Sequence, residues 1–264
     1  MARNAFNRRN NQDVIVREIN VPVYEPNNHP STKYKDHLVL NGYILTNSLN
    51  SGHSGNVFKG IHMKTNKTVA IKCCSKHKNW IREVNALKTM KHENIVALVG
   101  IPIPFTRLPC NIRYAMDKDN TVFAHNGPTT SNSMQKRQIR KSKEVHMLGV
   151  EYAEYGDLYE ILVDINDGVL NENATRYIIK ELTKTLIYAL HEGDNGNGIS
   201  HRDVKLENIF ISKDGTIKLG DWGLCAMNSR ERTCVSSCGT LGYMAPEIIC
   251  KKKYIAEKID VWSL

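Results

Sequence analysis

The octapeptide His201-Arg202-Asp203-Val204-Lys205-Leu206-Glu207-Asn208 sets an acid, a cation two residues on and a carboxamide five residues on within one short loop. A second acid follows in Asp221-Trp222-Gly223. A carboxylate can take a proton from a hydroxyl, an ammonium can steady a phosphate, and Asn and Asp oxygens suit a hard divalent cation. Together they equip a loop for moving a phosphoryl group from a Mg-bound nucleotide to a hydroxyl. At ordinary residue usage, His-Arg-Asp-x-Lys-x-x-Asn arises by chance in roughly one octamer in three million, which sets coincidence aside. Singly, each residue has a plain structural alternative: Asp203 a turn cap, Asn208 a helix cap, Asp221 a surface acid.

Such a loop needs a scaffold, and the chain is long enough for one large domain or two lobes: 264 residues, 41% hydrophobic and 24% charged. No apolar run reaches the length of a membrane span, and the basic N-terminus lacks the apolar stretch of a secretory signal. There are seven cysteines, none spaced Cys-x-x-Cys, and Cys234 and Cys238 lack a second ligand pair nearby. Reduced structural thiols in a cytosolic or nuclear protein are expected, with zinc disfavoured. The formal charge of +9 is concentrated in residues 102–145, where eight Lys and Arg face three acids. The knot from Lys136 to Lys143 reads as a solvated loop in preference to a nucleic-acid or acidic-partner surface.

Residues 1–37, rich in Asn, Arg and Pro, read as a disordered basic tail, with order beginning near Leu38. Short apolar runs between Tyr43 and Ile71, punctuated by Gly and Asn, predict a twisted antiparallel sheet. Ile81, Val84, Leu87 and Met90 fall at helical spacing in Trp80 to Met90. Residues 102–144 interrupt the pattern. Within them Ile112–Met116 and Thr121–His125 predict an extra hairpin, and Asn126–Lys143 reads as disordered. Beyond Val145, Met147–Tyr152 predicts a buried strand, Ala174–Leu190 a long amphipathic helix, and Lys213-Asp214-Gly215 the turn of a hairpin. The expected fold is α+β in two lobes: a β-rich front over 38–150 and a helical back over 151–264. The cleft between them is the expected nucleotide site.

Phosphates need backbone that can approach closely, and Leu49-Asn50-Ser51-Gly52-His53-Ser54-Gly55-Asn56-Val57 offers two glycines in a strand-turn-strand context. Alone it reads more readily as an ordinary hairpin. Val69-Ala70-Ile71-Lys72 adds a strand-borne cation, and Glu83 lies on the face of the following helix that carries Leu87. With these residues the chain resembles the eukaryotic-type protein kinases of the serine/threonine class. The resemblance runs in the family's order from Leu49 to the last residue. It takes in Lys72, Glu83, His92-Glu93-Asn94-Ile95-Val96, Glu151-Tyr152-Ala153, Gly156-Asp157, the catalytic loop, Asp221-Trp222-Gly223 and Ala245-Pro246-Glu247.

The resemblance implies ATP and Mg²⁺ as cofactors and a protein as substrate; from composition no membrane is expected as partner, and nucleic acid is disfavoured. Asp203 would accept or orient the substrate hydroxyl's proton, and Lys205 would steady the γ-phosphate. Asn208 and Asp221 would hold the metal. Lys72, paired with Glu83, would clamp the α and β phosphates beneath a loop of Leu49, Asn50, Ser51, Gly52, Gly55 and Asn56. Val57 and Ala70 would contact adenine, Val150 would guard the back of its pocket, backbone at Glu151 and Ala153 would read its edge, and Asp157 the ribose. Asp260 would brace the catalytic loop. Lys205 and Thr240 match the serine/threonine class, and Arg202 beside Asp203 points to control by phosphorylation, with Ser236 the favoured site.

Five departures stand out. Asn50 replaces the first glycine of the phosphate loop and Ser54 the aromatic at its tip. Trp222 stands in the usual Phe position, where its indole N–H is expected to pin the segment. Ten residues separate Lys72 from Glu83, fewer than usual. The sequence stops at Leu264, so the back lobe is expected to lack its last helices and the Arg partner of Glu247. Either the chain is a fragment of a longer product, or a partner protein covers the shortened lobe, or the chain folds poorly. A second reading of its function is a truncated kinase-like protein that sequesters another kinase.

Overall fold

The computed structural model describes residues 4–9, 12–17, 38–40, 43–52, 55–74, 76–99, 103–107, 113–116, 122–125, 144–164, 168–227 and 233–264. The chain divides into two compact units, one comprising residues 21–80 and 98–152, the other 1–20, 81–97 and 153–264.

The first unit is built on a six-stranded antiparallel sheet. Its strands are β3 (Leu38–Leu40), β4 (Tyr43–Gly52), β5 (Gly55–His62), β6 (Thr68–Cys74), β7 (Ile103–Arg107) and β10 (Glu144–Glu151), in the order β3-β4-β5-β6-β10-β7. Alternation decides which residues share a face. Leu45, Phe58, Val69, Ile71, Cys73 and Met147 pack into one buried cluster, flanked by Tyr43 and Val99. Val57, Ala70, Lys72, Leu148 and Val150, joined by the pairings Val57↔Lys72↔Leu148 and Ala70↔Val150, therefore occupy the opposite face. At Gly149 a Cβ would meet the Val99 carbonyl oxygen at 2.6 Å, so glycine is what lets residues 98–99 lie against β10. The Trp80 indole anchors the start of α1 (His77–Thr89) by donating to the Met147 carbonyl at 2.9 Å.

The strand β7 was not foreseen. It pairs with β10 inside the region expected to interrupt the pattern, so the interruption begins only after Arg107. Pro102 and Pro104 hide β7 from a periodicity argument, and backbone pairing at a sheet edge, where proline is tolerated, stabilises it. The predicted extra hairpin is present as β8 (Arg113–Met116) and β9 (Val122–His125), register Arg113↔His125. The stretch Asn126–Lys143 lies outside the described residues.

The second unit holds helices α2 (Leu158–Asp164), α3 (Glu172–Glu192), α4 (Pro246–Ile249) and α5 (Ala256–Ser263). The long helix α3 starts where Asn171 accepts a hydrogen bond from the Ala174 amide at 2.8 Å. It buries Ala174, Ile178, Leu182 and Ala189 at helical spacing. Short two-stranded ribbons complete the unit: β11 (Ile199–Ser200) with β14 (Ala226–Met227), β12 (Ile209–Ile211) with β13 (Ile217–Leu219), and β15 (Thr233–Cys234) with β16 (Tyr254–Ile255). The β12–β13 turn uses Gly215 at φ +84°, and Asp214 accepts from the Ser212 hydroxyl and the Thr216 amide.

At the N-terminus β1 (Asn4–Arg9) pairs antiparallel with β2 (Gln12–Arg17), where a disordered tail was expected. The β-branched run Val14-Ile15-Val16 favours an extended strand even without longer-range periodicity. The rest of residues 1–37 lies outside the described residues. No described helix is long and apolar enough to cross a membrane.

Candidate active site

The loop His201–Asn208 hangs between β11 and β12 and is held almost entirely by hydrogen bonds. The Asp260 carboxylate on α5 accepts from the backbone N–H of His201 at 2.6 Å and of Arg202 at 2.7 Å, the brace that the resemblance implied. Both amides can aim at one carboxylate because Arg202 takes a left-handed backbone, φ +66°, a conformation worth about 1–3 kcal/mol of strain in a non-glycine residue. Burial pushes the Asp260 carboxyl above its ordinary value, against the pull of His201, the backbone N–H groups and Arg202.

His201 is fully buried and settles its own tautomer. Its Nδ1 accepts from the Asp203 amide at 3.2 Å, and its Nε2 lies 2.9 Å from the Gly220 carbonyl, so Nε2 carries the proton. Its ring meets the Trp222 indole edge-on at 4.5 Å. Trp222 is itself wholly buried and donates from Nε1 to the Leu219 carbonyl at 3.3 Å. The indole N–H expected to pin this segment therefore has a partner. A Cβ at Gly220 would meet Phe210 at 2.9 Å and Val96 at 3.0 Å, so a side chain there would push this packing apart.

Asp203 is buried, with both carboxylate oxygens engaged. Oδ1 accepts from the Thr240 hydroxyl at 2.8 Å, Oδ2 accepts from the Asn208 amide at 3.3 Å, and the Lys205 ammonium lies 3.9 Å from Oδ2. Asn208 also donates to the Asp203 carbonyl at 2.8 Å. Both bonds use Nδ2, which leaves its Oδ1 for another purpose. Asp221 adopts φ +56° and accepts weakly from the Gly223 amide at 3.4 Å. Asp203, Lys205, Asn208 and Asp221 thus belong to one compact unit. Among the described residues no cluster of three or more His, Cys, Asp or Glu could form an all-protein metal cage. Two oxygen donors, from Asn208 and Asp221, are instead the set Mg²⁺ takes when substrate phosphates supply further ligands.

The remaining expected residues divide between the units. Val57, Ala70 and Lys72 lie in the sheet unit on the face opposite its core. Asn56 pairs with Cys73 and so falls on the core-facing side. Leu49, Asn50, Ser51 and Gly52 end β4, with Gly52 opposite Gly55 at the start of β5. Glu151 ends β10, and Ala153 follows it. Glu83, buried on α1, and Asp157 belong to the other unit. Asp157 caps α2, accepting from the Glu160 amide at 2.9 Å. Burial raises its carboxyl above the ordinary range, with Glu160 and Glu207 adding to the rise and backbone N–H groups opposing it.

The Arg202 guanidinium donates to the Ser236 hydroxyl at 2.9 Å, the Tyr254 hydroxyl at 3.2 Å and the carbonyls of Leu224 and Cys225 at 2.8 and 3.2 Å. Gly239, at φ +107° with the Arg202 carbonyl 3.1 Å from where a Cβ would stand, lets the chain turn tightly towards Thr240. The sequence reading singled out Arg202, Ser236 and Thr240. No sequence signal marks the Thr240–Asp203 bond or Tyr254, which carries no motif and is brought in by β15–β16 pairing and by packing with Ala245, Ile248 and Ile259.

The sequence profile of the family described as Protein kinase domain matches residues 43–264. The chain belongs to the protein kinase family. A kinase of this family has a β-rich and a helical part, as the two units here do. Similar proteins include CBL-interacting serine/threonine-protein kinase 20 of Arabidopsis thaliana, 28% identical over 86% of this chain and 44% of its own length. An Aurora kinase of Candida glabrata is 29% identical over 90% of this chain and 56% of its own length. Protein kinase kin1 of Schizosaccharomyces pombe is 27% identical over 93% of this chain and 26% of its own length. The kinase chain therefore spans between about a quarter and just over half the length of these relatives.

Proposed function

We propose that this chain is a serine/threonine protein kinase that transfers the γ-phosphate of ATP to protein Ser and Thr hydroxyls. The observation that carries the reading is the Asp203 carboxylate, buried and held from two sides by Thr240 and Asn208, with Lys205 beside it. Membership of the protein kinase family supports it. Lys205 and Thr240, together with the names of the similar proteins, support the serine/threonine class.

In this reading the substrate hydroxyl oxygen attacks the γ-phosphorus while the bond to the β–γ bridging oxygen breaks, releasing ADP. Asp203 orients that hydroxyl and takes its proton. Fixed contacts keep the carboxylate from reorganising at the moment of transfer, which is the form in which electrostatic catalysis is strongest. Lys205 offsets charge on the transferred phosphoryl oxygens. Asn208 and Asp221 would hold Mg²⁺, which would neutralise phosphate charge when bound. Lys72 and Glu83 serve the α and β phosphates, and the loop from Leu49 to Asn56 covers them. Val57 and Ala70 contact adenine, with Val150 behind it, backbone at Glu151 and Ala153 reading its edge and Asp157 the ribose. Phosphorylation of Ser236 would place a dianion on the Arg202 guanidinium.

The test is transfer from γ-labelled ATP to a mixed protein substrate or to the chain itself, with phosphoamino-acid analysis of the product. Mg²⁺-dependent label on serine and threonine, lost in Asp203→Asn, is expected. Label on tyrosine, or folded wild-type protein no faster than Asp203→Asn, overturns the reading.

A further inference from the structure

The buried hydroxyl of Tyr254 is the hub of the segment that carries Ser236. It donates to the Ser236 carbonyl at 2.7 Å, receives the Arg202 guanidinium at 3.2 Å, and lies 3.4 Å from the Ser236 hydroxyl and 3.7 Å from the Cys238 thiol. Its backbone pairs with Cys234 in the β15–β16 ribbon, and its ring packs with Ala245, Ile248 and Ile259. One residue thus ties the segment to a rigid cluster, at Cys234 through its backbone and at Ser236 and Cys238 through its side chain. By contrast Val235, between two of these ties, and Leu241, beyond them, are largely exposed. Only Gly239 separates Cys238 from Thr240, whose hydroxyl holds Asp203. Release of the segment would therefore be felt at the catalytic carboxylate.

We propose that Tyr254 is a positioning residue that holds the Ser236 segment in its ordered form before any phosphate is added. The idea rests on the kinase reading for its link to activity. A Tyr–carbonyl bond does neutrally, and more weakly, what a phosphate–Arg202 pair does when Ser236 is phosphorylated. The unmodified protein then has basal activity set by the Tyr254 tether, and phosphorylation makes the tether redundant. Burial holds the phenol above its ordinary value, so it stays protonated and able to donate.

The test compares the full chain with Tyr254→Phe and Ser236→Ala, and carries wild type and Tyr254→Phe in two forms, unmodified and with phosphoserine incorporated at 236. Two quantities are read: amide hydrogen exchange over residues 233–240, and kcat against KM for phosphoryl transfer. In unmodified Tyr254→Phe, exchange over 233–240 is expected to rise about tenfold and kcat to fall by a similar factor, with KM for ATP unchanged. In the phosphoserine form both differences shrink below about twofold. Ser236→Ala keeps the carbonyl that Tyr254 holds, so its segment stays protected. Equal loss in both forms of Tyr254→Phe makes the tyrosine merely structural and overturns the proposal. So does release of the segment in Ser236→Ala with none in Tyr254→Phe. If neither wild-type form transfers phosphate, the kinase reading fails, while hydrogen exchange still decides the tether.

Discussion

The loop His201–Asn208 and the segment from Thr233 to Leu241 lie in the same unit and are joined by the Arg202–Ser236 and Thr240–Asp203 hydrogen bonds, yet they are built on opposite principles. Residues 201–204 are buried, and Asp260 fixes the first two backbone N–H groups of that run from outside the loop. Residues 233, 235, 236, 237 and 241 are exposed, and beyond the short β15–β16 pairing the segment is held by a few side-chain bonds involving Arg202, Tyr254 and Thr240. Loop geometry that must not change is delegated to buried carboxylates and backbone amides. Geometry that is to be adjusted is delegated to bonds of about 1 kcal/mol each.

Breaking the rigid side should give the largest effect. Asp260→Ala strands two buried N–H groups and relaxes the left-handed Arg202, so unfolding free energy should fall by about 3 kcal/mol. The denaturation midpoint reads this. If the midpoint is unchanged, the brace is not what holds the loop. Next comes Arg202→Ala, which removes donors to Ser236, Tyr254, Leu224 and Cys225. Limited proteolysis between residues 233 and 241 should then quicken by about tenfold while the midpoint shifts far less than in Asp260→Ala. Equal shifts in both variants would erase the distinction between the two regions. Trp222→Phe keeps the ring but loses the bond to Leu219 and should destabilise by about 1 kcal/mol.

The smallest effect comes from buried thiols. Burial pushes the Cys73 and Cys225 thiols above their ordinary value, up to about 12. The folded state holds these protons while the unfolded chain releases them. Their contribution is complete below about pH 9 and is lost as pH rises towards 12. Stability should decline across that window, and at pH 8 iodoacetamide should label exposed Cys250 well before either buried thiol. Equal labelling of Cys73, Cys225 and Cys250 would contradict it.

Legibility in the sequence follows the same divide. The helix predicted for Ala174–Leu190 spans Glu172–Glu192, because its apolar spacing is local, and the hairpin around Asp214-Gly215 declared its own turn. The catalytic loop was legible because its residue types are few and its spacing short. Strand β7 was not, since its stabilisation comes from pairing with β10, far along the chain. Thr240 was read for class membership, but its bond to Asp203 depends on a fold-back of thirty-seven residues. Tyr254 was invisible for the same reason. The N-terminal hairpin was missed because composition outweighed the short Val14-Ile15-Val16 run.

Under the proposed kinase reading, Asp203 acts in the transfer step, while Asn208 and Asp221 act in holding the Mg-nucleotide. The most direct measurement is ATP·Mg affinity beside single-turnover transfer for wild type, Asp203→Asn and Asp221→Asn. Asp203→Asn should bind ATP·Mg within about twofold of wild type while transfer falls by at least about a thousandfold, and Asp221→Asn should lose Mg-dependent affinity as well. Transfer by Asp203→Asn at the wild-type rate would contradict the account.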